Sequence, residues 1–202
     1  MVTIDMLVDV PGYDDPGSDD EAKPAPAPLR RVQAFINTLD RESGRDRLAD
    51  PAGAARWLTR HGLLVPGAAL TAVDVADLAG VREGLRALVI HNSGGPAPDA
   101  ATLAPLHRLA AAAPARVAVG DAGDVTVAPT GTGMPDRLLD LLLIVKDAQC
   151  DGSWAQLKAC ANADCRWVFY DRSRNHGGTW CDMATCGNKL KNRDFRARRR
   201  RD

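Results

Sequence analysis

The chain has 202 residues and a mass of 21.5 kDa, with 45% hydrophobic and 26% charged residues, which places it among soluble globular proteins of one ordinary domain plus a small appendage. Its formal net charge of zero conceals two opposed parts: Trp154 to Asp202 holds twelve Lys/Arg against five Asp/Glu, and the rest is acidic by the same margin. A basic part joined to an acidic one points to a polyanion partner for the basic part alone.

Residues 1–28 read as an acidic and then proline-rich arm, expected to be flexible. Asp14-Asp15 and Asp19-Asp20-Glu21 precede Pro24-Ala25-Pro26-Ala27-Pro28, a composition that does not bury a core. Thr3 to Val8 allows a short strand. No basic residue precedes Leu7-Val8, and Asp5 and Asp9 interrupt the apolar run, so the start does not read as a secretory signal. The expectation is a cytoplasmic, bacterial-type protein whose thiols stay reduced. The longest apolar stretch, Leu138 to Val145, is too short for a membrane span and carries Asp140.

Helix signals follow through 29–152. Val32, Phe35, Ile36 and Leu39 are spaced three and four apart, which predicts a helix over Leu29 to Leu39. The polar cluster after it (Asn37, Thr38, Asp40, Arg41, Asp46) reads as a cap and ion-pair network rather than a ligand site. Asp50-Pro51 is an N-cap followed by proline at the first helical position, opening a helix through Ala54, Trp57 and Leu58 that stops at His61-Gly62. Thr71 caps a longer helix through Leu78, Leu85 and Val89, ending near Asn92-Ser93-Gly94-Gly95, and Asp99 caps another through Leu103, Leu106 and Leu109. Val117 and Val119, a Gly120/Gly123 turn and Val125 to Val127 predict a hairpin. A strongly apolar helix is expected from Pro135 to Ala148.

The fold class is therefore mainly α (α+β with one small β-hairpin): a helical domain over 29–152, then a small cysteine-rich domain over 153–202. The helical domain shows no catalytic constellation. Its Gly-rich pieces, Asn92 to Gly95 and Gly131 to Gly133, do not follow a strand and lead into Lys-Ser/Thr, so they read as connectors. His61, His91 and His107 are scattered and read as cap or surface residues. The chain is expected not to be an enzyme.

Four of the five cysteines lie in two pairs, Cys160-x4-Cys165 and Cys181-x4-Cys186, fifteen residues apart. Four thiolates at about 2.3 Å surround one Zn²⁺ when a loop brings two close pairs together. The commoner gap within a pair is two, so spacing alone also admits two disulfides or a redox pair. A reducing compartment weighs against disulfides, and the lack of a two-residue gap against a redox motif. A segment this poor in aliphatic residues has little core of its own, and zinc would supply the missing folding free energy. Cys150 is left as a buried or free thiol.

Phe169-Tyr170-Asp171-Arg172-Ser173-Arg174-Asn175, followed by Trp180-Cys181-Asp182-Met183-Ala184-Thr185-Cys186-Gly187-Asn188-Lys189, closely resembles the CGNR zinc-finger family. The upstream part resembles the ABATE domain that precedes this finger, through Phe35-Ile36-Asn37-Thr38-Leu39-Asp40, Asp46 to Pro51 and Trp57-Leu58. The resemblance spans about 29–200 and implies a stress-induced transcription regulator with one structural zinc on Cys160, Cys165, Cys181 and Cys186. Where the family signature has arginine, this chain has Lys189: the charge is kept, the planar two-pronged donor is not.

Beyond Cys181 the chain can continue as a helix with Lys189, Arg193, Arg196 and Arg200 along one stripe, widened by Lys191, Arg198, Arg199 and Arg201. Such a helix on a zinc knuckle suits a DNA groove, with Arg172 and Arg174 adding phosphate contacts. Asp171, Ser173 and Asn188 read as structural groups around the metal, and Trp167, Phe169 and Trp180 as a small core. The leading expectation is a DNA-binding transcription regulator, with the helical domain sensing a small ligand or mediating homodimerisation. The alternatives are an RNA-binding or ribosome-associated protein and an interaction adaptor with purely structural zinc.

Overall fold

Three of the helices start where a side chain meets their free N–H groups. The computed structural model, which describes residues 21–189, begins α1 (Leu29–Ile36) without a side-chain cap. Asp50 opens α2 (Pro51–Arg60) by accepting from the Gly53 N–H at 2.8 Å. Thr71 and Asp74 form a reciprocal capping box at the head of α3 (Ala72–Asn92). Asp99 accepts from Thr102 at the start of α4 (Ala100–Ala112). The last helix, α5 (Met134–Asp151), ends on Gly152 in the left-handed conformation. A 3-10 turn (Ser153–Gln156) then leads to the cysteine-rich part.

Three two-stranded antiparallel ladders punctuate the helices: β1 (Leu39–Asp40) with β2 (Arg45–Asp46), β3 (Ala115–Val119) with β4 (Val125–Pro129), and β5 (Leu157–Ala159) with β6 (Val168–Tyr170). The predicted hairpin is the second of these. The other two have strands of two and three residues, too short for alternation to register in the sequence. The mainly helical class with a small four-cysteine region at the end is otherwise as expected.

One core runs through both expected domains. Val32, Phe35 and Ile36 of α1, Leu78, Leu85 and Val89 of α3, and Leu141 and Val145 of α5 share it with Leu157, Ala159, Val168 and Tyr170 of β5 and β6. The α3–α4 contact is close: a Cβ on Gly84 would stand 2.9 Å from Leu106 Cγ and 3.2 Å from the Thr102 carbonyl, so only glycine fits there.

Two expectations change. The flexible arm does not extend to residue 28. Ala25 is fully buried, its N–H donates to Gln33 Oε1 at 2.6 Å, and its carbonyl accepts from Arg30. Proline and alanine here form a strap whose backbone polar groups find partners one by one, so no apolar pattern is required. Helix α1 stops at Ile36 rather than Leu39, because Asn37 turns into the seam and Thr38 Oγ1 donates back to the Phe35 carbonyl. His61 takes the first of its two expected roles, the C-cap of α2, and it does so buried and stacked on Trp57, ring centroids 3.9 Å apart. The polar cluster is a network, as read: Asp46 pairs with Arg82 at 2.7 Å, and Thr38 Oγ1 accepts from the same guanidinium.

The strand suggested for Thr3 to Val8, and Lys191, Arg193, Arg196, Arg198, Arg199 and Arg200 of the basic stripe, lie outside the described residues. No helix among the described residues is long and apolar enough to cross a membrane.

Candidate metal centre

The first cysteine pair occupies the loop of the β5–β6 hairpin. Cys160 N–H donates to the Trp167 carbonyl at 2.9 Å, extending the ladder by one rung. The Asn162 carbonyl then accepts from both Cys165 and Arg166 at 3.0 Å, curling the chain so that the two sulfurs converge. The curl sends Arg166 to φ 50°, left-handed backbone that usually selects glycine or asparagine. The second pair is spanned by a turn of π-helix (Met183–Gly187), which Asp182 caps through the N–H groups of Ala184 and Thr185. A bond from Ala161 N–H to the Thr179 carbonyl at 3.0 Å brings the two pairs together. A wider turn in each half thus accommodates the four-residue gap.

The four Sγ atoms lie within 4.8 Å of one another. Cys165 and Cys181 stand 3.7 Å apart, and Cys181 and Cys186 3.8 Å. A tetrahedron of 2.3 Å metal–sulfur bonds has edges of about 3.8 Å, whereas a disulfide requires about 2.05 Å. Cys160, Cys165 and Cys186 are buried and Cys181 is half-buried, while Cys150 is a free, exposed thiol on α5. The cluster fits one structural zinc ion held by Cys160, Cys165, Cys181 and Cys186. Four thiolates leave no coordination position for a reacting water.

The electrostatics of the thiols call for a cation. Cys160 is drawn well down, first by hydrogen bonds from Cys165 and Cys181 and then by the backbone N–H groups of Cys181 and Asn162. Cys165 and Cys181 are pushed up, chiefly because they donate to the Cys160 sulfur. One thiolate is stabilised at its neighbours' expense, a competition that a divalent ion bound to the sulfurs would relieve. Buried Asn162 donates its Nδ2 to Cys186 Sγ at 3.8 Å. Trp167 and Trp180 pack against the sulfurs.

The link between the pairs is ordered by Asp171. Its carboxylate accepts from Ser173 N–H at 3.0 Å and Gly178 N–H at 2.7 Å, and pairs with Lys158 at 3.2 Å. Burial pushes its pKa up, but the bonds from Ser173, Gly178 and Lys158 outweigh this and hold the carboxyl below the usual range. A depressed carboxyl contributes stability that is present above its unfolded pKa, near 3.9, and is lost as the pH falls through the lower folded value. Asp171→Asn is expected to cost about 1–3 kcal/mol at neutral pH and to remove the part of the acid-induced loss of stability that lies below about pH 4. Urea titrations at pH 7 and at stepwise lower pH measure both. A Cβ on Gly178 would fall 2.8 Å from this carboxylate, which is why glycine stands there.

The other predicted residues take specific places. Ser173 lies within the Asp171 turn, and Asn188 caps its own turn through the Ala184 carbonyl at 3.1 Å rather than touching the sulfurs. The Trp180 carbonyl accepts from Lys23 at 2.8 Å. Phe169 is buried beneath the Lys23 ammonium, 4.8 Å from its ring centroid. Arg172 donates to the Pro24 carbonyl at 3.1 Å and lies over Tyr170. Arg174 is exposed in the link. Lys189, at the signature position, is ion-paired with Glu42 in the β1–β2 turn.

Sequence reasoning missed the groups that seat this centre on the helices. Buried Glu21 accepts from Gln33, Asn37 and the Trp167 indole. Asn37 and Gln33 both donate to the Val168 carbonyl. Buried Arg86 of α3 donates to the Arg166 carbonyl at 3.1 Å, between two residues of the cysteine turn. The one available signal was the Asn37-Thr38 polar pair just after an apolar helix. A cleft of about 290 Å³ lies between this seam and the cysteines, lined by Lys23, Thr38, Arg47, Trp167, Cys181 and Thr185 among others.

The family model of the CGNR zinc finger matches residues 156–199, and that of ABATE, described as "Putative stress-induced transcription regulator", matches residues 29–150. No curated protein matches the chain.

Proposed function

Because the chain belongs to the ABATE family and ends in a CGNR zinc finger, we propose that it is a DNA-binding regulator of transcription, acting under stress in the bacterial cytoplasm, whose zinc is structural rather than catalytic. The observation that carries this reading is the coincidence of the metal fold with the charge. The four sulfurs draw together residues 160–186, and the sequence that follows directly is strongly basic, with eight Lys/Arg in the last fourteen positions. A zinc knuckle that exists to present cations suits a phosphate backbone.

The contacts divide by position. Arg174 is the exposed cation of the link. Arg172 keeps one donor on the Pro24 carbonyl and offers the rest of its fork. Lys189 must leave Glu42 to reach a phosphate. An exposed ion pair of this kind costs little to open. The helical part, joined to the finger by a shared core, is the sensing or oligomerising part.

Zinc-loaded protein is expected to bind duplex DNA with an affinity that falls steeply with salt, the log–log slope being about −0.9 per phosphate contacted. Arg174→Ala should reduce that slope by about one phosphate contact. Selection from a random duplex pool tests the rest. A consensus sequence supports a sequence-reading regulator, equal binding to any polyanion reduces the basic end to an electrostatic tail, and tighter binding to structured RNA gives the RNA-binding reading instead.

A further inference from the structure

The β3–β4 hairpin carries an apolar surface that the finger does not explain. Val117 faces Val127 and Val119 faces Val125 across the ladder, so the four share one side of the hairpin. They are 41 to 71% exposed. β4 lies along α5, while β3 is the outer strand.

The hydrogen-bond parity shows what the outer edge offers. Gly120 N–H donates to the Asp124 carbonyl at 2.8 Å at one end, and Thr130 N–H to the Pro114 carbonyl at 3.0 Å at the other. In an antiparallel ladder bonded and non-bonded pairs alternate. Counting inward from either end makes 116↔128 and 118↔126 the bonded pairs. The N–H and C=O groups of Ala115, Val117 and Val119 therefore point outward, away from β4. Proteins blunt such an edge with charged side chains, lysine above all, with proline or with a bulge, and here Arg116 is the single charge. Within Ala115–Val119 there is no lysine or proline, and each residue has a single partner in β4, so no bulge interrupts it.

We propose that this edge is a homodimer interface, in which β3 pairs antiparallel with β3 of a second copy about a two-fold axis at Val117. The strand fits itself. Val117 exchanges both backbone bonds with its mate, Ala115 falls opposite Val119, and Arg116, the only charge of the strand, falls opposite Ala118. No like charges meet across the pairing, which would otherwise disfavour it. The two hairpins become one four-stranded sheet, β4-β3-β3-β4, in which eight valines form a continuous face. A two-stranded hairpin is marginal in water and gains stability when further strands join it. An isologous edge closes at two copies, because each copy has one such edge among its described residues and uses it up.

The parity also supplies a selective test. Val117→Pro removes an N–H that points away from β4, so the hairpin's own ladder survives while the partner's acceptor loses its donor. The zinc-loaded full chain is expected to sediment at twice the 21.5 kDa chain mass at micromolar concentration. Val117→Pro should sediment as a monomer with its one zinc per chain retained. Val119→Lys, which leaves the backbone untouched and puts a charge on the edge, should shift the equilibrium the same way. A wild-type chain that stays monomeric at 100-fold higher concentration overturns the proposal. So does a dimer that survives both substitutions with zinc content unchanged.

Discussion

Exchange of Cys165 or Cys186 for serine is expected to lower the zinc content from one ion per chain to none and to unfold the segment between β5 and Lys189. Binding of a structural zinc by four thiolates is worth about 10–16 kcal/mol at neutral pH, comparable to the whole stability of an ordinary domain. The effect should not stop at the finger. Leu157 and Val168 are fully buried in the same core as α1 and α3, so loss of the metal withdraws the strands that cover one side of that core. Elemental analysis reads the stoichiometry, and a chelator titration followed by circular dichroism reads the spread of unfolding. Cys150→Ser is the control: that thiol is exposed on α5, away from the cluster, and zinc content should stay at one. A cysteine variant that keeps its zinc and its melting temperature would remove the metal centre as the organising element.

What could be read in advance was local. The caps at Asp50, Thr71 and Asp99 each bond to a residue three positions along, so the sequence displays both partners side by side. The four cysteines and the text around them were legible for the same reason: the residues that define the finger lie within thirty positions. The strap was not. Ala25, Gln33, Asn37 and Val168 are bonded across gaps of 8 to 135 residues, and a proline-rich acidic run gives no sign that it will meet such partners. Asn162 was passed over because it lies between two cysteines and is no ligand itself, yet its carbonyl forms the turn and its amide reaches Cys186. Strands of two or three residues carry too few side chains to alternate.

The strap and Lys189 together tie the finger to the helical part. The finger, expected as a small domain over 153–202, donates a backbone bond from Tyr170 to the strap's Lys23 carbonyl and further bonds from Trp167 and Val168 to the Glu21 and Asn37 side chains, and its Lys189 forms an ion pair with Glu42. Its orientation on the helical part is therefore fixed by buried polar groups that lose their partners if it turns. That is a stiffer arrangement than a finger on a linker.

Arg86→Leu is expected to cost about 3–5 kcal/mol, the range for breaking a buried charged network by removing one partner. Arg82 and Arg86, four apart on α3, look in the sequence like a solvated stripe, but both are buried. Arg86 donates to the Ile36 carbonyl at 2.7 Å, the Arg166 carbonyl at 3.1 Å and Glu83 at 3.0 Å. Burial lowers its pKa and Glu83 opposes that. A guanidinium titrates so far above neutrality that it remains charged. Leucine replaces the stem and none of the donors, so the Ile36 and Arg166 carbonyls lose this donor at once, and Glu83 is left with Arg82. Urea unfolding should show a lower midpoint at unchanged slope. Arg86→Lys keeps the charge but cannot span α1, α3 and the cysteine turn with a single ammonium, and should fall between the two. Because the Arg166 carbonyl belongs to the turn that carries Cys165, Arg86→Leu should also weaken zinc retention against a competing chelator, which an ordinary core substitution on α3 such as Leu78→Ala should not. A loss below about 1 kcal/mol, the worth of one ordinary hydrogen bond, with zinc retention unchanged, would mean that Arg86 does not help to hold the finger to the helices.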